Sequence, residues 1–479
     1  MARCGGGHTP PVSESEGAGP STYDVAVVGA GVVGAAVARL LSHHRLRVVL
    51  IEAGADVGTG TSKANTAILH TGFDASPGTV EARLVARGYA LLREHASAVG
   101  IAVEPVGAVI VAWDDEQAER LPSLTAKAAA NGYPRTAMVD SATVYDLEPN
   151  LGPGAVAGLL VPDEHIIDPW STTLAFAVEA VGNGVELRRS SPVLTVAPAG
   201  EGHALRVPDG EVRARFVVNA AGLRADELHR ALGHDTFTVT PRRGELIVFD
   251  KLARPLVGRT VLPVPTATTK GVLVAPTVFG NVMLGPTADN IEDKDATGST
   301  RDGIARLLAQ GRQMMPRLLN EEVTSVYAGL RAATEHSDYV IELHPDQRYV
   351  CLGGIRSTGL TASMAIAEEA LRLLAAAGLE CEAKDADELV AVTMPNLGEA
   401  FPRPYQAGGP IVCHCERVTA DEVRSACAGL VPALDLDGIR RRTRALTGRC
   451  QGFACSAAML GLASAATGRT PAQLVELAP

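Results

Sequence analysis

A glycine-rich turn near the start of the chain constrains its fold more than any other feature. The stretch YDVAVVGAGVVGAAVARLL, residues 23–41, reads as a short buried strand, a tight turn and an Ala-rich helix. Gly29, Gly31 and Gly34 form GxGxxG, and Glu52 ends the next apolar strand, eighteen residues after Gly34. Such glycines let the backbone approach a pyrophosphate at the helix N-terminus, and the acid accepts from a ribose. The combination predicts a Rossmann-like dinucleotide site; a packing turn between strand and helix is the alternative.

Three later segments, rich in glycine or small polar residues, extend this site. They are GTGTSKANTAILHTGFD at 58–74, VVNAAG at 217–222 and GGIRSTGLTASMAIA at 353–367. The last of them opens a helix, whose positive N-terminal end suits the pyrimidine carbonyls of a flavin. Three separated segments around one dinucleotide predict a large cofactor, FAD. The sequence has no second GxGxxG for a nicotinamide, so we expect an organic substrate to reduce the flavin directly.

Together these segments resemble the FAD-dependent oxidoreductases of the D-amino-acid-oxidase superfamily, over roughly residues 23–375. Within the superfamily the likeness is strongest to glycerol-3-phosphate and 2-hydroxyglutarate dehydrogenases or oxidases. The α/β segments at both ends of this region enclose β-rich insertions, which indicates an α/β fold: a Rossmann-like FAD-binding domain interleaved with an antiparallel-sheet substrate domain. Within 23–393, we expect the FAD part at about 23–80, 155–235 and 325–380, and the substrate part at about 81–154 and 236–324.

The FAD contacts that we expect come mainly from the glycine turn, the acid after it and the three later segments. The small polar residues of the 58–74 segment are suited to line the flavin side of the cofactor. The expected FAD-binding residues are Gly29, Ala30, Gly31, Val33, Gly34, Glu52, Ala53, Thr61, Ser62, Asn65, Thr66, Val193, Gly222, Arg356, Ser357, Gly359, Leu360 and Thr361.

His70, in AILHTG, is the candidate general base. A near-neutral imidazole can take the proton of a substrate hydroxyl while hydride leaves the same carbon for flavin N5. The related glycerol-3-phosphate oxidases carry a histidine in a similar NSGVIHSG-like segment, and this chain has the histidine and the glycine two residues later, with Thr71 between them. A histidine merely hydrogen-bonded near the cofactor is the alternative.

Basic residues supply the candidate anion site. Arg331, in YAGLRAATEHSDYVI, matches the GLR segment of the superfamily, whose arginine commonly grips a substrate carboxylate or phosphate through its forked donors. Lys270, in TTKGVLVAP, resembles a lysine beside the substrate in the glycerol-phosphate enzymes. Lys270 or Arg356 would add positive charge near the flavin N1–C2=O edge. Structural or surface roles are the alternatives. The weaker candidates nearby are Glu335 and His336.

Four of the eight cysteines lie in two close pairs near the end of the chain. Cys413 and Cys415 form C-x-C, Cys450 and Cys455 form C-x4-C, and thirty-four residues separate the pairs. Such pairs are typical of a metal site, and spacing alone leaves zinc and a [2Fe–2S] cluster open. About residues 410–465 resemble the bacterioferritin-associated-ferredoxin-like (BFD-like) domain, in the version fused to anaerobic glycerol-3-phosphate dehydrogenase large subunits and to some amine dehydrogenase subunits. That resemblance implies that the four cysteines ligate a [2Fe–2S] cluster.

The rest of the chain divides around these two units. We expect a disordered tail at 1–22, a Pro- and Gly-rich linker at 394–410 and a small helical cluster domain at 411–479. A run of arginines approaches the second cysteine pair, either as a solvated helix face or to stabilise the cluster electron or dock an acidic partner. These arginines are Arg440, Arg441, Arg442, Arg444 and Arg449.

Charge and hydropathy exclude two classes of partner. With 43 basic and 54 acidic residues the net charge is −11, which argues against a general nucleic-acid surface. No apolar run reaches the length of a transmembrane segment, and the tail lacks a signal-peptide core, so we expect a cytoplasmic protein.

These expectations describe a FAD-dependent dehydrogenase of a small anionic hydroxy substrate, with glycerol 3-phosphate ahead of 2-hydroxyglutarate. Electrons would leave through the cluster to an acceptor protein, a quinone-linked carrier or oxygen. Three alternatives stay open: an amino-acid or amine dehydrogenase, an electron-transfer subunit whose substrate chemistry lies on a partner, and an iron-sensing binding protein. The sequence leaves homo- and hetero-oligomers equally open.

Overall fold

The structure is a computed structural model that describes residues 22–265, 271–399 and 408–475. Its strands are β1 (Thr22–Val28), β2 (Val48–Ile51), β3 (Ile68–Leu69), β4 (Val103–Glu104), β5 (Ala108–Ala112), β6 (Ala137–Asp140), β7 (Ala157–Val161), β8 (His165–Ile167), β9 (Glu186–Arg188), β10 (Thr195–Ala199), β11 (Gly202–Val207), β12 (Gly210–Asn219), β13 (Thr240–Phe249), β14 (Thr260–Pro263), β15 (Leu273–Pro276), β16 (Val282–Gly285), β17 (Asp289–Asn290), β18 (Val323–Ala333), β19 (Val340–His344), β20 (Tyr349–Gly353), β21 (Ile411–Cys413) and β22 (Val418–Thr419).

The α-helices are α1 (Val32–Ser42), α2 (Val80–Val99), α3 (Asp115–Ala130), α4 (Ser141–Leu147), α5 (Pro169–Gly182), α6 (Ala225–Ala231), α7 (Arg301–Met314), α8 (Gly359–Ala376), α9 (Ala420–Ala426), α10 (Leu436–Thr443), α11 (Ser456–Thr467) and α12 (Pro471–Val475). Short 3₁₀ turns include Thr61–Lys63 and Gly222–Arg224. Within the described ranges, none of the helices combines the length and the apolar character that a bilayer crossing requires.

An eight-stranded sheet forms the nucleotide-binding half of the molecule. Its order is β10-β11-β12-β1-β2-β9, with β20 beside β12 and β19 outermost. β1 lies between the parallel partners β12 and β2, and its residues 25–28 are all buried, as expected for a central parallel strand. The helices α1, α5 and α8 cover one face, and α6 covers the other. The glycine turn therefore starts at the carboxyl edge of the central strand, where doubly wound sheets bind nucleotides.

A nine-stranded sheet forms the second half. Its order is β17-β13-β16-β15-β14-β5-β7-β6, with β18 along the other side of β13. All its pairs are antiparallel except β5 with β14. The two sheets confirm the predicted fold class, a Rossmann-like domain with an interleaved, mostly antiparallel domain.

Three elements lie on the other side of the boundaries expected from sequence. α2, expected in the substrate part, packs against α8 in the nucleotide half, because Gly88 lets the helices touch: a Cβ there would lie 2.3 Å from the Thr361 carbonyl oxygen. β7 and β18, expected in the FAD part, join the second sheet. β18 pairs with β13 along its whole length, so its backbone hydrogen bonds are made there.

Residues 408–475 form a third, smaller unit. The hairpin β21–β22 and the helices α9 to α12 enclose a core that includes Val418, Val423, Ile439 and Met459. A capping box starts α9, with the Glu422 N–H donating to Thr419 Oγ1 at 3.3 Å. The first residues of the expected linker, 394–399, lie against the body: the Met394 N–H donates to the Val99 carbonyl at 2.7 Å. Residues 400–407, like 1–21 of the expected tail, lie outside the described part of the chain.

Candidate active site and cluster site

The glycine turn after β1 has room for backbone alone. Gly29 has φ +100°, and a Cβ on it would lie 2.5 Å from the Ala220 carbonyl oxygen. A Cβ on Gly34 would lie 1.8 Å from the Gly29 oxygen. These contacts require glycine and leave the N-terminus of α1, which begins after Gly31, open for the close approach of a pyrophosphate.

Glu52 and Ser62 complete this cradle. The two Glu52 carboxylate oxygens each accept a backbone N–H at 2.7 Å, from Ala30 and from Gly54. Burial raises the pKa of Glu52, against the effect of these hydrogen bonds. Ser62 Oγ accepts a hydrogen bond from the backbone N–H of Val32 at 2.9 Å. This N–H, at the start of α1, is a donor that a bound phosphate would use. The residues present therefore fit the diphosphate and ribose of FAD.

One face of β18 covers the loop expected on the flavin side. The Thr61 hydroxyl donates to the Leu330 carbonyl at 2.7 Å, and the Tyr327 hydroxyl donates to the Asn65 carbonyl at 3.1 Å. A Cβ on Gly329 would lie 2.1 Å from the Ala64 oxygen. Because alternate residues of a strand share a face, residues 327, 329 and 331 all lie on the side of β18 that meets this loop.

A buried carboxylate orients His70, the candidate base. His70 Nδ1 lies 3.0 Å from Glu164 Oε2, and the other Glu164 oxygen accepts from the Thr71 N–H at 2.7 Å and from its hydroxyl at 2.8 Å. Glu164 is 1% exposed. The backbone N–H of His70 donates to Thr361 Oγ1 at 3.0 Å, and this contact fixes the position of His70 relative to the first turn of α8.

Glu164 was absent from the residues predicted from sequence. It lies just before β8, and the antiparallel pairing of β3 with β8, Leu69 opposite His165, places residues 70 and 164 side by side. The only signal in the sequence is an acid next to a short apolar strand, in DEHIID at 163–168, which matches no motif.

Arg331 is a half-buried cation without an acidic partner among the described residues. Its Nη1 donates to the Thr287 carbonyl at 3.3 Å, and its Nη2 lies over Gly244, 2.8 Å from where a Cβ would be. Burial, reinforced by the charge of Arg242, lowers the pKa of Arg331 to about 10. Arg242 lies directly opposite on β13. Two cations therefore lie side by side on one face of the sheet.

Other predicted substrate residues are engaged elsewhere or not described. Lys270 lies outside the described residues. The Arg356 guanidinium donates to the His336 carbonyl at 3.0 Å and to that of Ser337, and lies 3.7 Å from Glu81. Its side chain therefore anchors the 336–337 loop. Glu335 accepts from the Thr238 N–H at 3.1 Å, so it too supports that loop.

The remaining predicted FAD residues lie on several elements of the fold. The Asn65 side chain bridges its own loop, donating to the Ser62 carbonyl at 2.8 Å and accepting from the Ala67 N–H at 2.7 Å. The others, with their positions, are Val33 on α1, Ala53 after β2, Thr66 before β3, Val193 against the sheet core, Gly222 at the start of a 3₁₀ turn, Ser357 before α8, and Gly359 and Leu360 in its first turn.

The four paired cysteines converge at one end of the small unit. Cys413 ends β21 and faces Cys455, which precedes α11; Cys415 faces Cys450. Burial and the Cys413 thiol raise the pKa of Cys455 to about 12. No three of these sulfurs lie mutually within 4.8 Å. One tetrahedral zinc ion would need sulfurs about 3.8 Å apart, so two separated pairs fit a two-iron cluster better.

The arginine run docks the small unit on the nucleotide half of its own chain. Asp56, fully buried after β2, accepts from Arg441 Nη2 at 2.7 Å and from Arg442 Nη1 at 2.5 Å and Nη2 at 2.8 Å. Lys63, in the flavin-side loop, pairs with Asp437 at 3.2 Å. For Arg441 and Arg442, the acidic partner is therefore Asp56 of the same chain. No sequence motif identifies Asp56 as this partner.

Aromatic residues fill the space between the flavin-side loop and the small unit. Trp170 Nε1 donates to the Lys63 carbonyl at 3.1 Å, and its ring stacks on Phe279 with centroids 5.3 Å apart. The buried Arg444 guanidinium lies over both rings, 4.0 Å from the Phe279 centroid and 5.4 Å from that of Trp170. Arg444 lies 3.7 Å from Glu416, next to Cys415. The loop and the cysteines are thus joined through packed side chains.

Comparison with known proteins agrees with this geometry. The FAD dependent oxidoreductase (DAO) family matches residues 24–373, and the BFD-like [2Fe-2S] binding domain matches residues 411–463. A glycerol 3-phosphate dehydrogenase of Caloramator mitchellensis is 34% identical over 443 residues, covering 91% of this chain and 92% of that protein. A mitochondrial L-2-hydroxyglutarate dehydrogenase of Caenorhabditis elegans is 30% identical over 276 residues, covering 56% of this chain and 63% of that protein.

A solved structure shows the same fold with the cofactor in place. The dithionite-reduced L-alpha-glycerophosphate oxidase of Mycoplasma pneumoniae with FAD bound superposes with a TM-score of 0.73 at 31% identity, covering 78% of this chain and 99% of that one. These matches confirm FAD and a [2Fe–2S] cluster as the cofactors. The chain belongs to the FAD dependent oxidoreductase (DAO) family, and its C-terminal unit is a BFD-like [2Fe-2S] binding domain.

Proposed function

We propose that this oxidoreductase dehydrogenates glycerol 3-phosphate at its secondary hydroxyl and passes the electrons to an external carrier. The observation that carries the proposal is the His70–Glu164 pair, with 3.0 Å between His70 Nδ1 and Glu164 Oε2. His70 lies in the flavin-side loop at 58–74, and the face of β18 that carries Arg331 covers this loop. A base and an anion site thus flank the flavin-side loop. FAD supplies a two-electron acceptor when bound, and the [2Fe–2S] cluster supplies a one-electron carrier.

Glu164 prepares His70 for proton transfer. The Glu164 carboxylate accepts from His70 Nδ1, so it selects the His70 tautomer with the proton on Nδ1, in which Nε2 is the acceptor. The two donors from Thr71 fix the carboxylate itself. The substrate hydroxyl then loses its proton to Nε2, and the imidazolium that forms is stabilised by the adjacent negative charge.

Arg331 holds the other end of the substrate. Its guanidinium lacks a carboxylate partner among the described residues, so an incoming anion supplies the missing charge. Arg242, opposite on β13, adds a second positive charge, which suits a phosphate dianion better than a single carboxylate. The relatives named for glycerol 3-phosphate also span more of this chain than the one named for L-2-hydroxyglutarate, which is the second candidate substrate.

The fixed base distinguishes a hydroxyl substrate from an amine. A free amine can lose hydride without a strong base, whereas an alcohol must lose its hydroxyl proton as hydride leaves. A buried acid dedicated to orienting a histidine therefore favours the alcohol. The docked cluster domain supports electron exit to an acceptor protein or a quinone-linked carrier.

A substrate panel tests this proposal. We expect steady-state turnover with an artificial one-electron acceptor to give a kcat/KM for glycerol 3-phosphate at least tenfold above those for 2-hydroxyglutarate and amino acids. Preference for 2-hydroxyglutarate would reassign the substrate within the same mechanism. Preference for an amino acid would contradict the role of His70, and inactivity with every compound would indicate an electron-transfer subunit.

A further inference from the structure

A second group of ionisable side chains lies away from the active site, on the α6 face of the nucleotide-binding sheet. His229 on α6 is completely buried, and Glu342 and His344 lie two residues apart on β19, so their side chains share one face of that strand. α1, α5 and α8 lie on the opposite face of the sheet. The mechanism described above uses none of these three residues.

The three side chains converge with the spacing of metal ligands. His229 Nε2 lies 3.5 Å from Glu342 Oε2, and His344 Nε2 lies 3.4 Å from the same oxygen. All three ligand atoms lie within 4.8 Å of one another. Ligands at about 2.0–2.1 Å from a tetrahedral ion are about 3.3–3.4 Å apart, so the two nitrogen–oxygen separations given above already fit.

The surroundings prepare both imidazoles for coordination. His229 Nδ1 lies 3.1 Å from the Tyr349 hydroxyl. This hydrogen bond fixes the orientation of the imidazole ring, with Nε2 directed toward Glu342. His344 Nε2 is buried and makes no hydrogen bond within the described ranges. The ring of His234 stacks on that of His344 at 3.7 Å between centroids and holds it in place.

We propose that His229, Glu342 and His344 bind a divalent transition-metal ion of the zinc class. Two imidazoles and one carboxylate are a donor set that Zn²⁺ accepts, with a fourth position left for water. Thr236 Oγ1, 3.0 Å from His229 Nε2 and 3.1 Å from Glu342 Oε2, is a polar neighbour at the edge of this site. The ion links α6 to β19, two elements separated by more than a hundred residues.

The site has a structural connection to the cofactor loop. The His229 ring packs on Phe237, with centroids 5.1 Å apart. Phe237 in turn packs against Gly353, where a Cβ would lie 2.6 Å from the Phe237 ring. Gly353 ends β20 and begins the segment that leads into α8. An ion that fixes His229 therefore braces the back of this segment, which makes the site structural rather than catalytic.

Zinc binding to the holoprotein tests the proposal. Protein with FAD and cluster bound is freed of adventitious metal with EDTA, desalted and titrated with Zn²⁺ against a chromophoric chelator, while iron content and cluster absorption are followed. We expect one zinc ion per chain with a Kd below about 1 μM and no loss of iron. Glu342→Gln and His344→Gln should each weaken binding by about 100-fold or more. His44→Gln, which removes a half-buried imidazole just after α1, on the opposite face of the sheet, should leave the affinity unchanged.

A folding check on each variant separates loss of the zinc site from loss of the fold. Each is checked in EDTA for flavin and cluster absorption, and if one does not fold, the wild-type titration and the remaining variant decide. X-ray absorption at the zinc edge should show imidazole nitrogen and oxygen ligands and no sulfur. Wild-type protein that binds no zinc, a zinc ion bound by sulfur, or equal affinity in wild type and Glu342→Gln would each overturn the proposal.

Discussion

Glu164 Oε2 lies 3.0 Å from His70 Nδ1 and is 1% exposed, so this pair is an interior contact that orients the imidazole rather than a surface contact. The register of β3 on β8 creates it, and Thr71 supplies two more donors to the same carboxylate. Removal of His70 tests the unit first. His70→Ala should slow substrate reduction of the flavin by about 10²–10⁴-fold, measured by anaerobic stopped flow. An unchanged rate would assign the proton to another group.

Removal of the carboxylate separates orientation from binding. Glu164→Gln should lower kcat by about 10–100-fold with little change in KM, because the amide no longer enforces the reactive tautomer. Thr71→Val is the matched control: it removes one contact to Glu164 but leaves His70 paired, so its effect on kcat should be much smaller. Equal losses in the two variants would indicate a structural role for Glu164.

Arg331 should control recognition of the anion. Arg331→Gln should raise KM for glycerol 3-phosphate by about 10–100-fold, the range for a charge-assisted hydrogen bond. Any turnover of glycerol, which lacks the phosphate, serves as the internal control and should not change. A parallel loss with both compounds would place Arg331 outside substrate binding.

The pKa of Arg331 sets a pH limit on the same interaction. Burial lowers this pKa to about 10, so the guanidinium is charged below that pH and becomes neutral as the pH rises through it. KM for the anionic substrate should therefore be flat from about pH 7 to 9 and should rise by up to about tenfold per pH unit above about 10. A KM that stays flat to about pH 11, in protein that keeps its FAD, would contradict the lowered pKa of Arg331.

Asp56 should hold the cluster domain in place. Asp56→Asn leaves Arg441 and Arg442 buried with weaker partners and should cost about 3–5 kcal/mol of unfolding free energy. Burial alone would raise the pKa of Asp56, but Arg442 and Arg441 lower it overall, so this stabilisation is present at neutral pH and is lost as acid protonates Asp56. Chemical denaturation at neutral pH measures the change. Asp437→Asn, which removes the more exposed pairs of Asp437 with Lys63, Arg440 and Arg441, should cost less.

The glycine turn, the cysteine pairs and the fold class were predictable because each depends on residues close together in sequence. Gly29 and Gly34 are required by local backbone contacts, and the C-x-C and C-x4-C spacings are visible directly. Glu164 and Asp56 were not predictable. Glu164 lies 94 residues from His70, and Asp56 lies 386 residues from Arg442, so only strand register and domain docking bring these partners together. α2 was misplaced for a similar reason, since its apolar face does not indicate which sheet it covers.

One measurement tests the central claim most directly: anaerobic addition of glycerol 3-phosphate to the holoprotein, followed by visible absorption and low-temperature EPR. We predict that the flavin band bleaches and that the EPR signal of a reduced [2Fe–2S] cluster appears afterwards, because the cluster domain is docked on the flavin-side loop through Lys63 and Asp437. An oxidised flavin band that persists with excess glycerol 3-phosphate and 2-hydroxyglutarate, in protein that dithionite reduces, would contradict the account.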